Sequence, residues 1–306
     1  MLDVHQPDSE VLPPSVWQER ARAHLERVQQ WTVPRRERRS RHEQHPVYDF
    51  LFQYYSYSPA KLETWHPGAG EVLAYAPEAR GRFRPPLYRT SDGLIRQDTS
   101  SLGAKDVERL RSLAEVLRAT QRQPANFGCY GVHEWAMVYG GEDVRHLEIA
   151  PLRLPQKEVD RFVESRPVVC THFDAFRFFA PDAKPLNRIE LEWSTRHDVE
   201  QPGCIHANMD LYRWAYEAMP WIGSDLLWAT FELATELRVL DMQASPYDLT
   251  DFGLEPVRVE TEDGKREYRL RQRVLAERAR VLRERLIGAL EHVIAVAVDP
   301  FVQVEP

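Results

Sequence analysis

"CIHANMDLYRWAYEAMPWIGSDLLWATFELATELRVLDMQ", residues 204–243, decides the fold class. From about residue 208 to 243 it reads as two long helices, the spacing of its apolar side chains being helical. Asn208 is expected as the N-cap of the first, and Asp210 falls in the first turn, where an acid suits the helix dipole. Neither role accounts for His206 or Cys204 just upstream. Tyr212, Trp214, Tyr216 and Trp221 follow closely, so this stretch carries more chemistry than a core helix needs.

Working outward, most of the chain repeats the helical pattern. "VWQERARAHLERVQQW" spaces Val16, Ala21, Leu25, Val28 and Trp31 as one helix face. The run "RRERRSRHEQH" after it reads as a solvated linker or a phosphate-facing arm. "HPVYDFLFQYYSYSPAKLETWHPG" gives an aromatic helix, a start signal at Pro59, a second short helix and a stop at Pro67-Gly68. Residues 69–100 are expected to be mostly loop. "GAKDVERLRSLAEVLRATQRQ" is an amphipathic helix, and a strand-like run, "VRHLEIAPLRL", precedes another helix in "PQKEVDRFVESR". Alternation around Asp263-Gly264 predicts a β-hairpin near 257–270, before a closing helix over 271–297. The expected architecture is mainly α: a single helical domain with a minor β-hairpin and short strands. Residues 1–44 are assigned to a loosely attached N-terminal helical arm and basic linker, and 45–306 to a mainly helical catalytic domain.

Composition narrows the function. A chain of 306 residues, 43% hydrophobic and 28% charged, can bury a sizeable core. A formal charge of −7 gives no global basic signature, so any nucleic-acid contact must be local. Three cysteines make no disulfide framework. The start "MLDVHQPDSEVLPPSV" has neither a basic n-region nor an apolar run, and "LIGALEHVIAVAV" is too short to span a bilayer. A cytoplasmic protein with no membrane partner and no obligate protein partner is expected. Among 40 basic residues only Lys61, Lys105, Lys157, Lys184 and Lys265 are lysine, which leaves few amines for Schiff-base chemistry.

Three segments concentrate polar groups. "PVVCTHFDAFRFF" places Cys170, His172 and Asp174 at the opening of an aromatic helix, and Thr171 and Asp174 have capping-box spacing. Ser245 and Asp248 repeat that spacing. In "NFGCYGVHEWAMVY", Asn126 is expected to cap a helix carrying Cys129, His133 and Glu134. Each cysteine precedes a histidine by two to four residues, so a Cys/His metal-dependent hydrolase or oxygenase is one alternative. Neither a CxxC knuckle nor an HExxH helix is present, and no metal or other cofactor is expected. Walker, GxGxxG and GxSxG signatures are also missing. A non-catalytic protein whose aromatic pocket holds a small molecule is a second alternative.

The remaining inventory of carboxylates, imidazoles and aromatic rings suits an enzyme that flips out a nucleobase, stacks it and cleaves its N-glycosidic bond. A carboxylate would stabilise the positive charge that builds on the sugar. Asp174 or Asp210 is expected in that role, with His172 or His206 positioning water or the leaving base; Glu134, Asp241 and Asp248 are the next carboxylates to consider. Trp65, Phe127, Tyr130, Trp135, Phe173 and Tyr212 are candidate stackers. His133 and Asn208 are candidates for reading a base edge, and Arg35, Arg36, Arg38 and Arg39 for DNA phosphates.

The blocks "HPVYDFLFQYYSY", "WHPG", "NFGCYGVHEWAMVY", "CTHFDAFRFF", "EQPGCIHANMDLYRWAY" and "DMQASPYDL" together resemble a bacterial protein family commonly labelled 3-methyladenine DNA glycosylase, from about residue 45 to 290. The resemblance implies excision of a modified base from double-stranded DNA, in repair or in defence against phage with modified DNA. It carries over no catalytic residue, because the Gly-rich helix-hairpin-helix of the established helical glycosylases is missing. Without a lysine in the polar blocks, a monofunctional enzyme using water is expected.

Overall fold

The computed structural model of the chain describes residues 11–141 and 150–298. The first ten residues, and the part of "VRHLEIAPLRL" before residue 150, lie outside them; Leu152 forms a single bridge with Tyr247.

The chain enters through a two-residue strand, β1 (Val11–Leu12), and a long helix, α1 (Pro14–Ser40). Pro14 suits the first helical position, where no amide hydrogen is needed. Trp17, Ala21, His24, Val28 and Thr32 recur at three- and four-residue steps and are buried, so α1 is fastened to the body along its length. That corrects the loosely attached arm. The linker reading also fails, since α1 continues through Arg35–Ser40. Arg38 and Arg35 turn inward to a buried carboxylate, Asp49, which Arg38 grips with two nitrogens. Arg35 and Arg38 are thereby drawn against the body, while Arg36, Arg39 and Arg41 stay exposed.

Two short helices, α2 (Phe50–Tyr54) and α3 (Pro59–Glu63), match the aromatic segment and its proline start signal. The next stretch, expected as loop, holds the sheet: β2 (Val72–Ala74), β3 (Tyr88–Ser91) and β4 (Leu94–Gln97). The order is β1-β2-β4-β3, with β1 parallel to β2 and the other pairs antiparallel. Asp92-Gly93, both at positive φ, turns the β3–β4 hairpin. Strands of two to four residues are too short to show a period of two, and the Gly and Pro residues between them mask the pattern further. A satellite core of Trp17, Trp65, Leu73, Phe83, Tyr88 and Ile95 closes this layer.

The rest is helical: α4 (Ala104–Arg122), α5 (Val132–Met137), α6 (Gln156–Glu164), α7 (Phe173–Phe176), α8 (Arg196–Val199), α9 (Ile205–Glu217), α10 (Ser224–Gln243) and α11 (Glu262–Val298). The protein is a mainly α domain in which α9 packs on α10, and α11 packs on α4, α9 and α10. Phe231 on α10 meets Trp31, Phe52, Tyr212 and Trp228, a junction worth about 3–5 kcal/mol on the scale of core Phe truncations. Among the described residues, no helix is long and apolar enough to cross a membrane.

The hairpin expected at 257–270 does not form. Thr261 Oγ1 accepts from Gly264 N at 3.1 Å, so Asp263-Gly264 opens α11. Gly264 is needed there for close approach: a Cβ would come within 2.0 Å of Arg258 O.

Candidate functional site

α9 begins on a clamp. Gln201 Oε1 accepts from the amides of Asn126 and Gly203, both at 2.7 Å, and its Nε2 donates to Asn126 O at 3.1 Å. A Cβ on Gly203 would sit 2.6 Å from Asn126 O, so only glycine lets the two loops meet. Cys204 takes the N-cap position of α9 without a side-chain hydrogen bond. The expected cap, Asn208, is instead inside the helix: it donates to Pro202 O at 2.9 Å and accepts from buried Arg283 of α11 at 2.6 Å. It fastens α9 to α11, with its amide oxygen and nitrogen both engaged inside the protein.

One turn of α9 therefore aims His206 and Asp210 at α5, α7 and α10. His133 Nε2 lies 2.7 Å from Asp241 Oδ1, and His206 Nε2 lies 3.9 Å from Asp241 Oδ2. Arg238, one turn before Asp241 on α10, bridges Glu134 at 2.7 Å and Asp241 at 2.9 Å. On the other side of His206, stacked at 5.3 Å, stands His172. Its Nε2 is 3.1 Å from Asp210 Oδ2, and Tyr55 donates to Asp210 Oδ1 at 2.8 Å. Glu200 stands 3.9 Å from the same imidazole. The segments read from sequence thus converge: His133, Glu134, His172, His206 and Asp210 form one buried network, completed by Asp241.

Burial opposes charge on every group here, and the partners decide the outcome. For His133, burial is outweighed by the charge and hydrogen bond of Asp241, which raise its pKa well above the ordinary value. His172 is raised too, Asp210 overcoming burial. Burial and the neighbouring His133 hold His206 well below the ordinary range, opposite in direction to the two imidazoles beside it. Asp241 stays ionised against burial because His133 and Arg238 face it.

His133 and His206 line a narrow cavity with Asn126, Cys129, Cys170, Cys204, Tyr268 and Gln272. It offers about 10 Å³ to the centre of a water molecule, room for one. Tyr268 Oη and Gln272 Oε1, both buried, have no hydrogen-bond partner among the described residues. The three cysteines are free. Burial raises Cys170 and pushes Cys204 up to about 12. Cys129 Sγ rests 3.6 Å from His133 Nδ1, whereas Cys170 donates to the backbone oxygen of His172.

Asn126 also lines an open cleft of about 280 Å³ with Phe127, Gly128, Tyr130, Arg269 and Arg273. Arg273 lies over Phe127 at 4.7 Å and Arg269 over Tyr130 at 5.1 Å. Both arginines are exposed and make no ion pair among the described residues. Tyr130 holds φ 51°, left-handed backbone that costs a bulky residue on the order of 1–3 kcal/mol.

Other expected residues serve elsewhere. Trp65 belongs to the satellite core beside Phe83. Trp135 is buried against Phe162 and donates to Ala244 O, and Tyr212 is buried against Tyr55 and Phe231; neither can stack a base. Phe173 faces Trp193 on a half-exposed patch. Asp174 is only partly buried and pairs with Arg177 and Arg213, away from the cavity lining. His172, not Thr171, takes the N-cap position of α7, its Nδ1 accepting from Ala175 N at 3.3 Å. Asn126 turns back on Gly128 N and does not cap α5, whose N-cap position is Gly131. Ser245 and Asp248 bond the amides of Tyr247 and Thr250 in a turn. Arg36 pairs with Glu63, leaving Arg39 exposed and without an ion pair among the described residues.

Sequence reasoning missed Arg238, Tyr55, Glu200, Tyr268 and Gln272. Arg238 and Asp241 carried a signal: charges one turn apart on an otherwise apolar helix must be paired inside the core. No protein-family model matches the chain, and no curated protein or solved structure matches it.

Proposed function

We propose that this protein is a monofunctional DNA glycosylase that hydrolyses the N-glycosidic bond of a modified base in double-stranded DNA. One observation carries the reading: an open cleft with two arginine-covered aromatic rings adjoins, at Asn126, a water-sized cavity walled by imidazoles. Planar guanidinium and aromatic faces are the surfaces on which flipped bases stack, and unpaired arginines suit flanking phosphates. A cavity for one water cannot take a base, so the base occupies the outer cleft and the water the inner cavity.

In this reading Tyr268 and Gln272 hold the water beside His133 and His206. The carboxyl groups of Asp241 and Asp210 lie behind the imidazoles, placed to oppose the positive charge that develops on the sugar. None of the five lysines lines the cavity or the cleft, which supports attack by water over a Schiff base. The test is incubation with duplexes bearing alkylated or bulky modified bases, followed by hot alkali. Strand breaks at the modified position are expected, without a borohydride-trapped protein–DNA adduct. Intact strands across the panel would overturn the reading.

A further inference from the structure

We propose that His133 Nε2, His206 Nε2 and an Asp241 carboxylate oxygen bind a divalent transition-metal ion, with the narrow cavity providing its open coordination position. The three residues come from α5, α9 and α10, and their donor atoms lie within 4.8 Å of one another. Ligands about 2.1 Å from a tetrahedral ion stand roughly 3.4 Å apart. His133 Nε2 stands 2.7 Å from Asp241 Oδ1 and His206 Nε2 stands 3.9 Å from Asp241 Oδ2, either side of that value, so a turn of the carboxylate with small side-chain adjustments closes the shell. Two imidazoles and one carboxylate are the donor set of catalytic zinc and of non-haem ferrous iron, both of which keep a position for water or substrate.

The surroundings fit a cation. Glu134 shares Arg238 with Asp241 and offsets its charge, and Arg238 bonds only Asp241 Oδ2, so that Oδ1 faces His133. Arg238 and Cys129 touch Asp241 and His133 from outside the trio and orient them, as second contacts do at metal sites. An independent feature marks the open position: Tyr268 and Gln272 line the cavity, and their buried Oη and Oε1 have no hydrogen-bond partner among the described residues. A metal-bound water there would accept from the first and donate to the second. His206 stands ready as a ligand, since its imidazole makes no hydrogen bond among the described residues and only approaches Asp241 at 3.9 Å. The site rests on this donor geometry and holds whatever the substrate is.

Chelator-treated full-length protein titrated with Co²⁺ tests it. The expected result is one tightly bound equivalent, with the visible absorption of a low-symmetry nitrogen–oxygen site, and a thermal midpoint that rises with added Zn²⁺. His206→Gln should abolish both responses while keeping a metal-free midpoint near the parent's, because it breaks no hydrogen bond. No stoichiometric Co²⁺ uptake by the parent would overturn the proposal. So would undiminished uptake by His206→Gln, or a thiolate charge-transfer band that moves the ion to the cysteines. None of these readouts depends on base excision.

Discussion

Tyr55 and Asp210, 155 positions apart in sequence, meet at 2.8 Å inside the protein, and the other Asp210 oxygen faces His172 at 3.1 Å. A carboxylate held from both sides cannot turn away from the imidazole column of His172 and His206. Asp210→Asn should therefore lower single-turnover excision about a hundredfold, the scale of a preorganised electrostatic group. Tyr55→Phe, which keeps the carboxylate, should cost less. Asp174→Asn should cost least, because Asp174 is committed to Arg177 and Arg213 near the surface. Equal losses at Asp174 and Asp210 would contradict this ordering.

The cleft arginines give a second prediction. Each phosphate neutralised on duplex DNA contributes about 0.9 to the slope of log affinity against log salt. Replacing Arg269 and Arg273 together with Gln should flatten that slope by nearly two. Arg36→Gln with Arg39→Gln should change it less, since Arg36 is already paired with Glu63. Arg35 and Arg38 are unsuitable probes: both serve Asp49, and their loss would weaken the packing of α1. Binding curves over a range of salt decide between the two faces.

How far the sequence could be read follows from the range of each interaction. Helical periodicity is local, so α4, α6, α9 and α10 were legible directly. The same local reading placed a hairpin at Asp263-Gly264, where Thr261 caps a helix, and missed the one at Asp92-Gly93, whose strands have four residues each. Chemistry-bearing residues were visible because Cys, His and Asp are conspicuous in helices. Their partners were not, since Tyr55, Arg238 and Tyr268 come from other segments and look like ordinary core or surface positions. Aromatic rings were the least legible: the burial of Trp65, Trp135 and Tyr212 depends on which helices cover them.

Acid should destabilise the fold through His66. Its Nδ1 faces Tyr88 Oη at 2.7 Å beneath the small sheet, and burial lowers its pKa from 6.5 to about 4, with Arg82 adding to the shift. Between those values the unfolded chain binds a proton that the folded chain refuses, so stability falls as pH drops from about 6.5 to 4. The largest contribution, reached at the low end, is about 3 kcal/mol. Thermal midpoints measured over that range should fall less steeply in His66→Gln than in the parent. Identical pH profiles would mean that His66 does not drive the acid loss.

Glu134 supplies the final prediction, because it was expected as a catalytic group and the structure gives it a different duty. Its carboxylate is buried and bonded to Arg238 at 2.7 Å, and the same guanidinium nitrogen reaches Asp241 at 2.9 Å while the group lies 4.0 Å above Phe50. Removing Glu134 leaves the buried guanidinium with Asp241 alone, which His133 also shares, and breaking a buried ion pair costs up to about 3–5 kcal/mol. Glu134→Ala should therefore lower stability by that order in urea unfolding, and pull Arg238 more tightly onto Asp241. Glu134→Gln keeps a hydrogen-bond acceptor for Arg238 and should recover part of the loss. If Glu134 acted on substrate, Glu134→Gln would abolish excision at full stability. If it balances Arg238, the Gln variant should keep most of its activity, and the losses in the Ala variant should follow its unfolding.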